Sequence, residues 1–268
     1  MRRPLTIGVL AASLLACGPA AAARSIALCF ERQEVLPWRT LDGGGLDFEL
    51  LSEVARRLDL EFAYQTMPWK RCLAQLNANQ VQGAFSASFV RERMALGVYP
   101  GGREADPERR LHTDTYVLVR RKGSTVDWNG RDFLNLDGRI GIELGYSVGD
   151  FLRARSIQVD EGTQRSSDLL EKLLAGRVAA AALLGGAVAS HLKRDPSLAG
   201  KIEVRGPPLI EKPYYLMLSH QFVTAEPALA ERIWRTIAQV RNSPAYRRRE
   251  RESGRLAAQT VHARHAGR

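Results

Sequence analysis

The feature that most constrains the fold is a strand–helix–strand order near the beginning of the chain. Residues 25–30, SIALCF, form a short apolar run of the kind that makes a buried strand. Residues 46–58 carry apolar side chains three and four positions apart, which predicts a helix, and residues 61–65 predict a second strand. Strands joined through a helix pair in parallel with a right-handed crossover, so this order predicts an α/β fold with a mainly parallel sheet.

The same order continues along the rest of the chain. A helical spacing at 69–77, a strand pattern at 81–86 and a strand at 115–120 complete a first group of elements. A second group consists of a strand at 139–143, a helix from Ser147, a helix at 167–175, a strand at 178–184, a helix at 187–193, a strand at 214–219 and a helix at 227–242. We therefore predict two α/β units joined by extended segments.

Residues 1–23 have the three parts of a secretory signal peptide. Arg2 and Arg3 precede an apolar run at 5–16, and small residues precede the expected cleavage point after Ala23. The apolar run is too short to span a bilayer, which needs about 20 such residues. We expect export to the periplasm.

The cysteines give two further expectations. Cys17 ends a Leu-Leu-Ala-Cys sequence similar to a lipobox, so the alternative to cleavage is a lipoprotein anchored at that residue. If Cys17 leaves with the signal peptide, Cys29 and Cys72 remain, and an even count in an oxidising compartment favours one disulfide. Such a bond would close a loop long enough to add about 4 kcal/mol to stability. The alternative is two buried free thiols.

The net charge is +10, which becomes +8 once Arg2 and Arg3 have been removed. Much of the excess lies in YRRRER at 246–251 and in the residues that follow. Such a run could bind nucleic acid or anionic lipid, but an exported protein has little access to nucleic acid. We therefore expect a solvated, frayed C-terminus, with residues 255–268 as a disordered basic tail.

No motif in the sequence indicates a metal or a nucleotide. The chain has no Gly-rich phosphate-binding loop, and its histidines have no spacing typical of metal ligands. These histidines are His112, His191, His220, His262 and His265. We expect no metal and no cofactor.

Residues 145–149, GYSVG, fit the G-x-S-x-G pattern of a hydrolase nucleophile elbow, with Ser147 in the nucleophile position. The predicted strand before it and helix after it are the context that this pattern requires. A nucleophile would also need an acid and a histidine, and the candidates Asp195 and His220 stand in no motif. A serine esterase therefore remains one possible function.

From about residue 25 to residue 254 the chain resembles the exported solute-binding proteins of family 3, the polar amino acid type that serves ABC transporters. The matching stretches, in the family's order, are Pro37-Trp38, GLDFELLSEVARRLDLEF, PWKRCLAQLNANQVQGAFSASFVRERMALGVYP, TYVLVRRKGS, RIGIELGYSVGDFL, LLEKLLAGRVAAAAL, PPLIEKPYYLMLS and PALAERIWRTIAQV. Matches that keep this order along the chain are hard to obtain by chance.

The resemblance implies a two-lobed clamshell of the type II periplasmic-binding-protein kind, each lobe a mainly parallel sheet flanked by helices. Lobe 1 would comprise residues 24–117 and 213–254, and lobe 2 residues 118–212. A ligand would lie in the cleft between the lobes, which would close on it by a hinge motion. We expect a monomer.

The resemblance also implies the residues that bind the ligand. Arg93 falls on the arginine that grips a ligand carboxylate, which suits a planar guanidinium because it makes paired hydrogen bonds. Ser88 falls on the Ser/Thr of the same loop, and Ser86 on a neighbouring backbone contact. The alternative for Arg93 is a surface arginine beside Glu92.

Trp38 and Trp69 fall where the family places aromatic side chains that sandwich the ligand. The alternative for each tryptophan is a place in the core. Glu31, at the exit of the first strand, would point into the cleft. Tyr146 and Ser147 lie in the turn that opens lobe 2's first helix, where backbone N–H groups and a hydroxyl would bind the ligand's anionic group.

One departure from the family bears on the ligand. Amino-acid binders of the family have an aspartate for the ligand's ammonium near the strand at 178–184, which has no carboxylate here. A buried ammonium without an anion is costly, so an α-amino acid would need Glu31 or another acid. We expect a small polar, carboxylate-bearing solute, delivered to an ABC transporter or a sensor, and no catalysis. The alternative is an exported dehydratase-like enzyme with Glu31 or Glu143 as general acid.

Overall fold

The computed structural model describes residues 24–262, with side chains described to residue 253. The strands are β1 (Arg24–Glu31), β2 (Leu60–Met67), β3 (Gly83–Ser88), β4 (His112–Arg121), β5 (Asp127–Trp128), β6 (Phe133–Leu134), β7 (Ile140–Glu143), β8 (Val159–Thr163), β9 (Ala180–Leu184) and β10 (Ile202–Leu218). The helices are α1 (Leu46–Leu58), α2 (Trp69–Asn77), α3 (Val148–Arg153), α4 (Ser166–Leu174), α5 (Gly185–Arg194), α6 (His220–Ala225), α7 (Pro227–Arg241) and α8 (Pro244–His262). The expected signal peptide and Cys17 lie outside the described residues. Within residues 24–262, no helix has both the length and the apolar character that crossing a bilayer requires.

Eight strands form one sheet in the order β2-β1-β3-β10-β4-β9-β7-β8, and β5 pairs separately with β6. β1 pairs in parallel with β2 and β3, and β7 pairs in parallel with β8 and β9. The parallel pairing predicted from the strand–helix–strand order is therefore confirmed, as is the α/β class. We call β1, β2 and β3 with α1, α2, α6 and α7 the first lobe, and β7, β8 and β9 with α3, α4 and α5 the second lobe.

β4 and β10 join the two lobes by antiparallel pairing. Residues 202–205 of β10 pair with 118–121 of β4, and residues 210–214 pair with 112–116. β10 then pairs with β3 of the first lobe, while β4 pairs with β9 of the second. The sequence predicted only the end of β10, because Gly206 and the two prolines after it interrupt the strand pattern. In the structure a register shift accommodates this interruption within one strand.

The carboxyl ends of the central parallel strands face the space between the lobes. β1 ends at Glu31, and β3 ends at Ser88. In the second lobe β7 ends at Glu143 and β9 at Leu184. Ligands of open α/β sheets bind at the carboxyl ends of the strands, so this topology points to the gap between the lobes as the site to examine.

The C-terminal residues differ from the expectation. Residues 246–251 belong to helix α8, and the same helix continues through 255–262 of the expected disordered tail, the rest of which lies outside the described residues. Tyr246 is 6% exposed, and its hydroxyl donates to the backbone carbonyl of Leu46 at 3.2 Å. The helix contacts α1 and α7, and also α5 of the second lobe. The expectation of a frayed segment at 246–251 was therefore wrong, because one buried ring anchors the basic run as a helix.

Cys29 of β1 and Cys72 of α2 form the disulfide that the sequence favoured. Their sulfur atoms are 2.02 Å apart, and both side chains are fully buried. The alternative of two free thiols is therefore wrong. The bond fixes α2 against the central part of the first lobe's sheet.

We expect the double variant Cys29→Ser/Cys72→Ser to lose about 4 kcal/mol of stability, because the bond closes a loop between residues 43 positions apart. For a protein of this size that loss lowers the melting temperature by roughly 8–16 °C. Thermal unfolding followed by circular dichroism measures it. Dithiothreitol should lower the wild-type melting temperature and leave that of the variant unchanged, and equal melting temperatures for the two proteins would contradict the prediction.

Candidate functional site

The two lobes enclose a small cavity at the carboxyl ends of the strands. Its volume is about 20 Å³, which is room for about one water molecule. The lobes therefore touch each other directly in this structure, and a solute would enter only when they separate. The lining residues are Glu31, Arg39, Trp69, Ser86, Ser88, Arg93, Tyr116, Tyr146, Ser147, Leu184 and Tyr214.

Arg93 links the two lobes. It lies in a short helical turn after β3 and is only 8% exposed. One guanidinium nitrogen donates to the Ser88 carbonyl at 2.9 Å, and the other donates to the Gly145 carbonyl of the second lobe at 2.7 Å. The guanidinium also lies 5.5 Å from the ring centroid of Trp69. Arg93 is therefore buried in the cleft, and the alternative of a surface arginine does not describe it.

The two serines of the first lobe's loop differ in what they contact. The Ser88 hydroxyl lies 2.8 Å from the Ser147 hydroxyl of the second lobe, so these two predicted site residues meet across the cleft. Ser86 also lines the cavity, but its hydroxyl donates to the buried carboxylate of Asp47. Ser88 and Ser147 therefore present hydroxyls to the cavity, whereas the hydroxyl of Ser86 is engaged elsewhere.

Trp69 and Trp38, the two predicted aromatic residues, lie in different positions relative to the cavity. Trp69 lines the cavity beneath Arg93. Trp38 is not among the lining residues, and instead stacks on the His112 ring with centroids 4.3 Å apart. His112 stacks in turn on Tyr214, at 4.9 Å, and its Nδ1 lies 2.7 Å from Asp47. Trp38 therefore supports the cavity wall through His112 and Tyr214.

The turn before α3 is held by groups of the protein itself. Gly145 has a φ of +80°, a conformation that favours glycine. Its N–H donates to the Glu161 carboxylate at 2.7 Å, and its carbonyl accepts from Arg93. A carboxylate of the chain thus occupies the first N–H of the turn, and Tyr146 and Ser147 contribute their side chains to the cavity.

A catalytic triad does not form around Ser147. The candidate His220 contacts the backbone carbonyl of Met94 at 3.0 Å, and the candidate Asp195 accepts from the backbone N–H of Ser197. Across residues 24–253, no histidine forms a hydrogen bond with Ser147, so the serine has no base to activate it. The nucleophile-elbow pattern here builds a turn at the cleft.

Residues just after β1 make further contacts across the cleft. The Tyr146 hydroxyl donates to the Glu31 carboxylate, and Gln33 donates to the same hydroxyl at 3.3 Å. The Gln33 side chain also accepts from the N–H of Ser166. These contacts bind the first lobe to the beginning of two helices of the second lobe.

Two buried acids stand at the cleft. Burial raises the pKa of Glu31, against the lowering effect of its hydrogen bond from Tyr146. Burial raises the pKa of Glu143 well above its usual value, and the neighbouring charge of Glu31 adds to that effect. Neither oxygen of Glu143 makes a regular hydrogen bond, although Gln33 lies near enough to lower its pKa. At the end of β9 the cavity is lined by Leu184, and the acid among the lining residues is Glu31 of β1.

The sequence interpretation missed Arg39. This residue is 5% exposed and lines the cavity, held by a backbone bridge to Val35. Its charge lowers the pKa values of both Glu31 and Glu143. The only signal in the sequence was its position directly after the Pro37-Trp38 motif, which does not tell whether the side chain points inward.

Protein-family models and curated proteins give no match to this sequence. Solved structures match it in fold. A histidine kinase sensor domain with similarity to periplasmic binding proteins has a TM-score of 0.69 at 15% identity, covering 87% of this chain and 97% of that one. An arginine-specific periplasmic binding protein of Salmonella typhimurium has a TM-score of 0.66 at 14% identity, covering 86% and 99%. The GluR0 ligand-binding core of Nostoc punctiforme, in complex with L-glutamate, has a TM-score of 0.61 at 14% identity, covering 88% and 99%.

These likenesses establish the fold. The chain has the two-lobed architecture of periplasmic binding proteins, as its resemblance to family 3 predicted. Identities of 14–15% leave the side chains of the cleft free to differ among these proteins.

We expect Asp114, a buried neighbour of Arg39, to make stability depend on pH. Burial raises the pKa of Asp114 to about 6, from an ordinary 3.8. The folded protein therefore holds a proton that the unfolded chain releases, and the free energy of unfolding falls as the pH rises from about 4 to about 6. A shift of this size corresponds to about 3 kcal/mol.

Urea unfolding at several pH values compares the wild type with Asp114→Asn, which can still accept the hydrogen bond from the Thr115 N–H. The variant should gain stability relative to the wild type as the pH rises through that window. Asp132→Asn, which removes an exposed carboxylate, is the control. A constant difference between the wild type and Asp114→Asn at all pH values would refute the prediction.

Proposed function

We propose that this protein is an exported solute-binding protein of the family 3 type, without catalytic activity. It binds a small polar, carboxylate-bearing solute between its lobes in the periplasm. It then presents the solute to an ABC transporter or to a membrane sensor. The two-lobed fold and a buried, polar cleft at the carboxyl ends of the strands support this function.

The observation that carries the proposal is the environment of Arg93. Its guanidinium is buried between the lobes and donates to backbone carbonyls of both, at Ser88 and Gly145. A carboxylate is a better acceptor than a carbonyl, because a charge-assisted pair with a planar guanidinium is bidentate and stronger. A solute carboxylate that replaces these carbonyls joins the lobes through the ligand and so favours closure.

Other residues of the cleft complete the proposed site. Ser88 and Ser147 supply hydroxyls, one from each lobe. The Trp69 ring provides an apolar wall beneath the guanidinium. Glu31 is the acid available to an ammonium group, in place of the family's aspartate on β9. Trp38 contributes by supporting the wall, and Tyr146 by its hydroxyl.

The antiparallel pairing of β4 with β10 supports the proposed lobe boundaries. We propose the divisions 24–117, 118–212 and 213–254, because β4 and β10 run from one lobe into the other. Rotation about these strands separates the lobes without breaking either core, as in hinge closure. The monomer and the signal peptide ending at Ala23 belong to the same proposal, and the disulfide agrees with an oxidising compartment.

One observation favours a second candidate, a dehydratase-like enzyme on the same fold. Glu143 is fully buried beside the cleft, and its pKa is raised well above the usual value chiefly by burial, as expected of a general acid. Such an enzyme would change the solute it binds. Mass spectrometry of the bound solute after long incubation separates the two candidates, because a binding protein returns it unchanged.

We expect a carboxylate solute at 100 times its dissociation constant to add about 2.7 kcal/mol of stability and so raise the melting temperature by roughly 5–10 °C. A panel of amino acids, organic acids, sugar acids and polyamines tests the chain from residue 24 onwards. Arg93→Gln should weaken binding of the active compound at least about tenfold, because a buried charged hydrogen-bonding group is lost.

Arg91→Gln is the matched control for this experiment. Arg91 belongs to the same helical turn as Arg93, but it is exposed and pairs with Glu104 on the surface at 3.6 Å. Binding by this variant should equal that of the wild type. If no carboxylate shifts the melting temperature, or if Arg93→Gln binds as well as the wild type, the proposed function is wrong.

A further inference from the structure

Arg39 has a buried guanidinium that finds no partner among the side chains and backbone groups of residues 24–253. It is 5% exposed and lines the same cavity as Arg93. Its Nε is fully buried without a hydrogen bond, and within residues 24–253 its side chain forms neither a hydrogen bond nor an ion pair. A guanidinium has five N–H donors, and burying them unpaired is costly unless another group pairs with them.

The other buried arginines do have partners. Arg93 donates to Ser88 and Gly145, and Arg241 donates to the backbone carbonyl of Glu108 at 2.9 Å. Among the described arginines with less than a tenth of their surface exposed, Arg39 therefore differs in having its donors free. Those donors face a cleft that closes on a solute in the proposed function.

The carboxyl groups around Arg39 do not take the place of a partner. Glu31, Asp114 and Glu143 interact with its charge, yet none of them lies within ion-pair distance. Glu31 is already bound by the hydroxyl of Tyr146. Neither carboxyl oxygen of Glu143 forms a hydrogen bond with a described residue, Arg39 included, and burial raises the pKa of Glu143 well above its usual value.

We propose that Arg39 is a second anion-binding group of the cleft, and that the solute is a dicarboxylate with one carboxylate on Arg93 and the other on Arg39. This inference rests on the proposed function and specifies its ligand. Two guanidiniums in one small cavity repel each other, and a solute with two negative groups removes that repulsion while it pairs both sets of donors. The Glu31 carboxylate is available to pair with an amino group on the same solute.

Isothermal titration calorimetry at pH 7 tests the inference with pairs of compounds that differ by one negative charge. The dicarboxylates are succinate, glutarate, L-aspartate and L-glutamate, and their monoamides are succinamate, glutaramate, L-asparagine and L-glutamine. At least one dicarboxylate should bind about tenfold or more tightly than its monoamide, because the amide cannot pair with the charge of Arg39.

Two variants test whether Arg39 causes this preference for the dicarboxylate. Arg39→Gln should remove the preference, bringing the two affinities within about threefold of each other. Arg39→Lys should retain part of it, because the charge remains and the planar fork is lost. Arg93→Gln is the control, since it should weaken both members of a pair. If Arg39→Gln does not fold, two measurements still test the inference. They are the ratio of the wild-type affinities for a dicarboxylate and its monoamide, and the same ratio for Arg39→Lys.

The outcomes separate the inference from the function on which it rests. Equal binding of a dicarboxylate and its monoamide by the wild type overturns the role of Arg39, while the carboxylate-binding function stands. If Arg39→Gln weakens the binding of both compounds by the same factor, the role of Arg39 is likewise overturned and the carboxylate-binding function stands. If none of the eight compounds binds, the dicarboxylate inference is overturned, while the carboxylate-binding function is decided separately by the melting-temperature panel.

Discussion

The antiparallel pairing of β4 with β10 holds the two lobes together. Each lobe has its own parallel strands, and these two strands carry the hydrogen bonds that make a single sheet of both. Tyr116 and Tyr214, which line the cavity, lie on these strands. The strands that we propose as the hinge therefore also form part of the cavity wall, so rotation of the lobes about them would change the shape of the cavity.

The cleft also buries charged side chains. Arg39, Arg93 and Glu31 line a space that holds about one water molecule. Glu143 is buried beside it, near Glu31 and Arg39. Each charge loses hydration on closure, and the structure offsets that loss unevenly. Arg93 has carbonyl acceptors and Glu31 has a hydroxyl donor. Arg39 has neither a carbonyl nor a carboxylate as a partner in the described part of the chain. In the function that we propose, this unevenness gives the cleft its preference for a solute with negative groups.

Much of the first lobe follows from local sequence. The apolar run at 25–30 and the helical spacing at 46–58 predicted β1 and α1, and the even count of cysteines predicted the disulfide. The predictions failed where distant residues decide the outcome. Gly206 and its prolines suggested an interruption, but pairing with β4 carries the strand through it. The sequence of residues 246–251 predicted a solvated tail, but these residues form a helix because the Tyr246 ring is buried.

Local sequence patterns predicted most strands and helices in their order, though not β5, β6, β8, α6 or α8. They also predicted the cysteine pair and, through a resemblance to a family, the placement of Arg93 at the cleft. Packing between distant segments determines that Trp38 supports a wall and that Arg39 enters the cavity. It also determines that the Glu31 carboxylate accepts a hydrogen bond from Tyr146, 115 positions away in the chain. The physical reason is that periodicity reports which face of an element is apolar, whereas burial and hydrogen-bond partners depend on contacts between segments far apart in the chain.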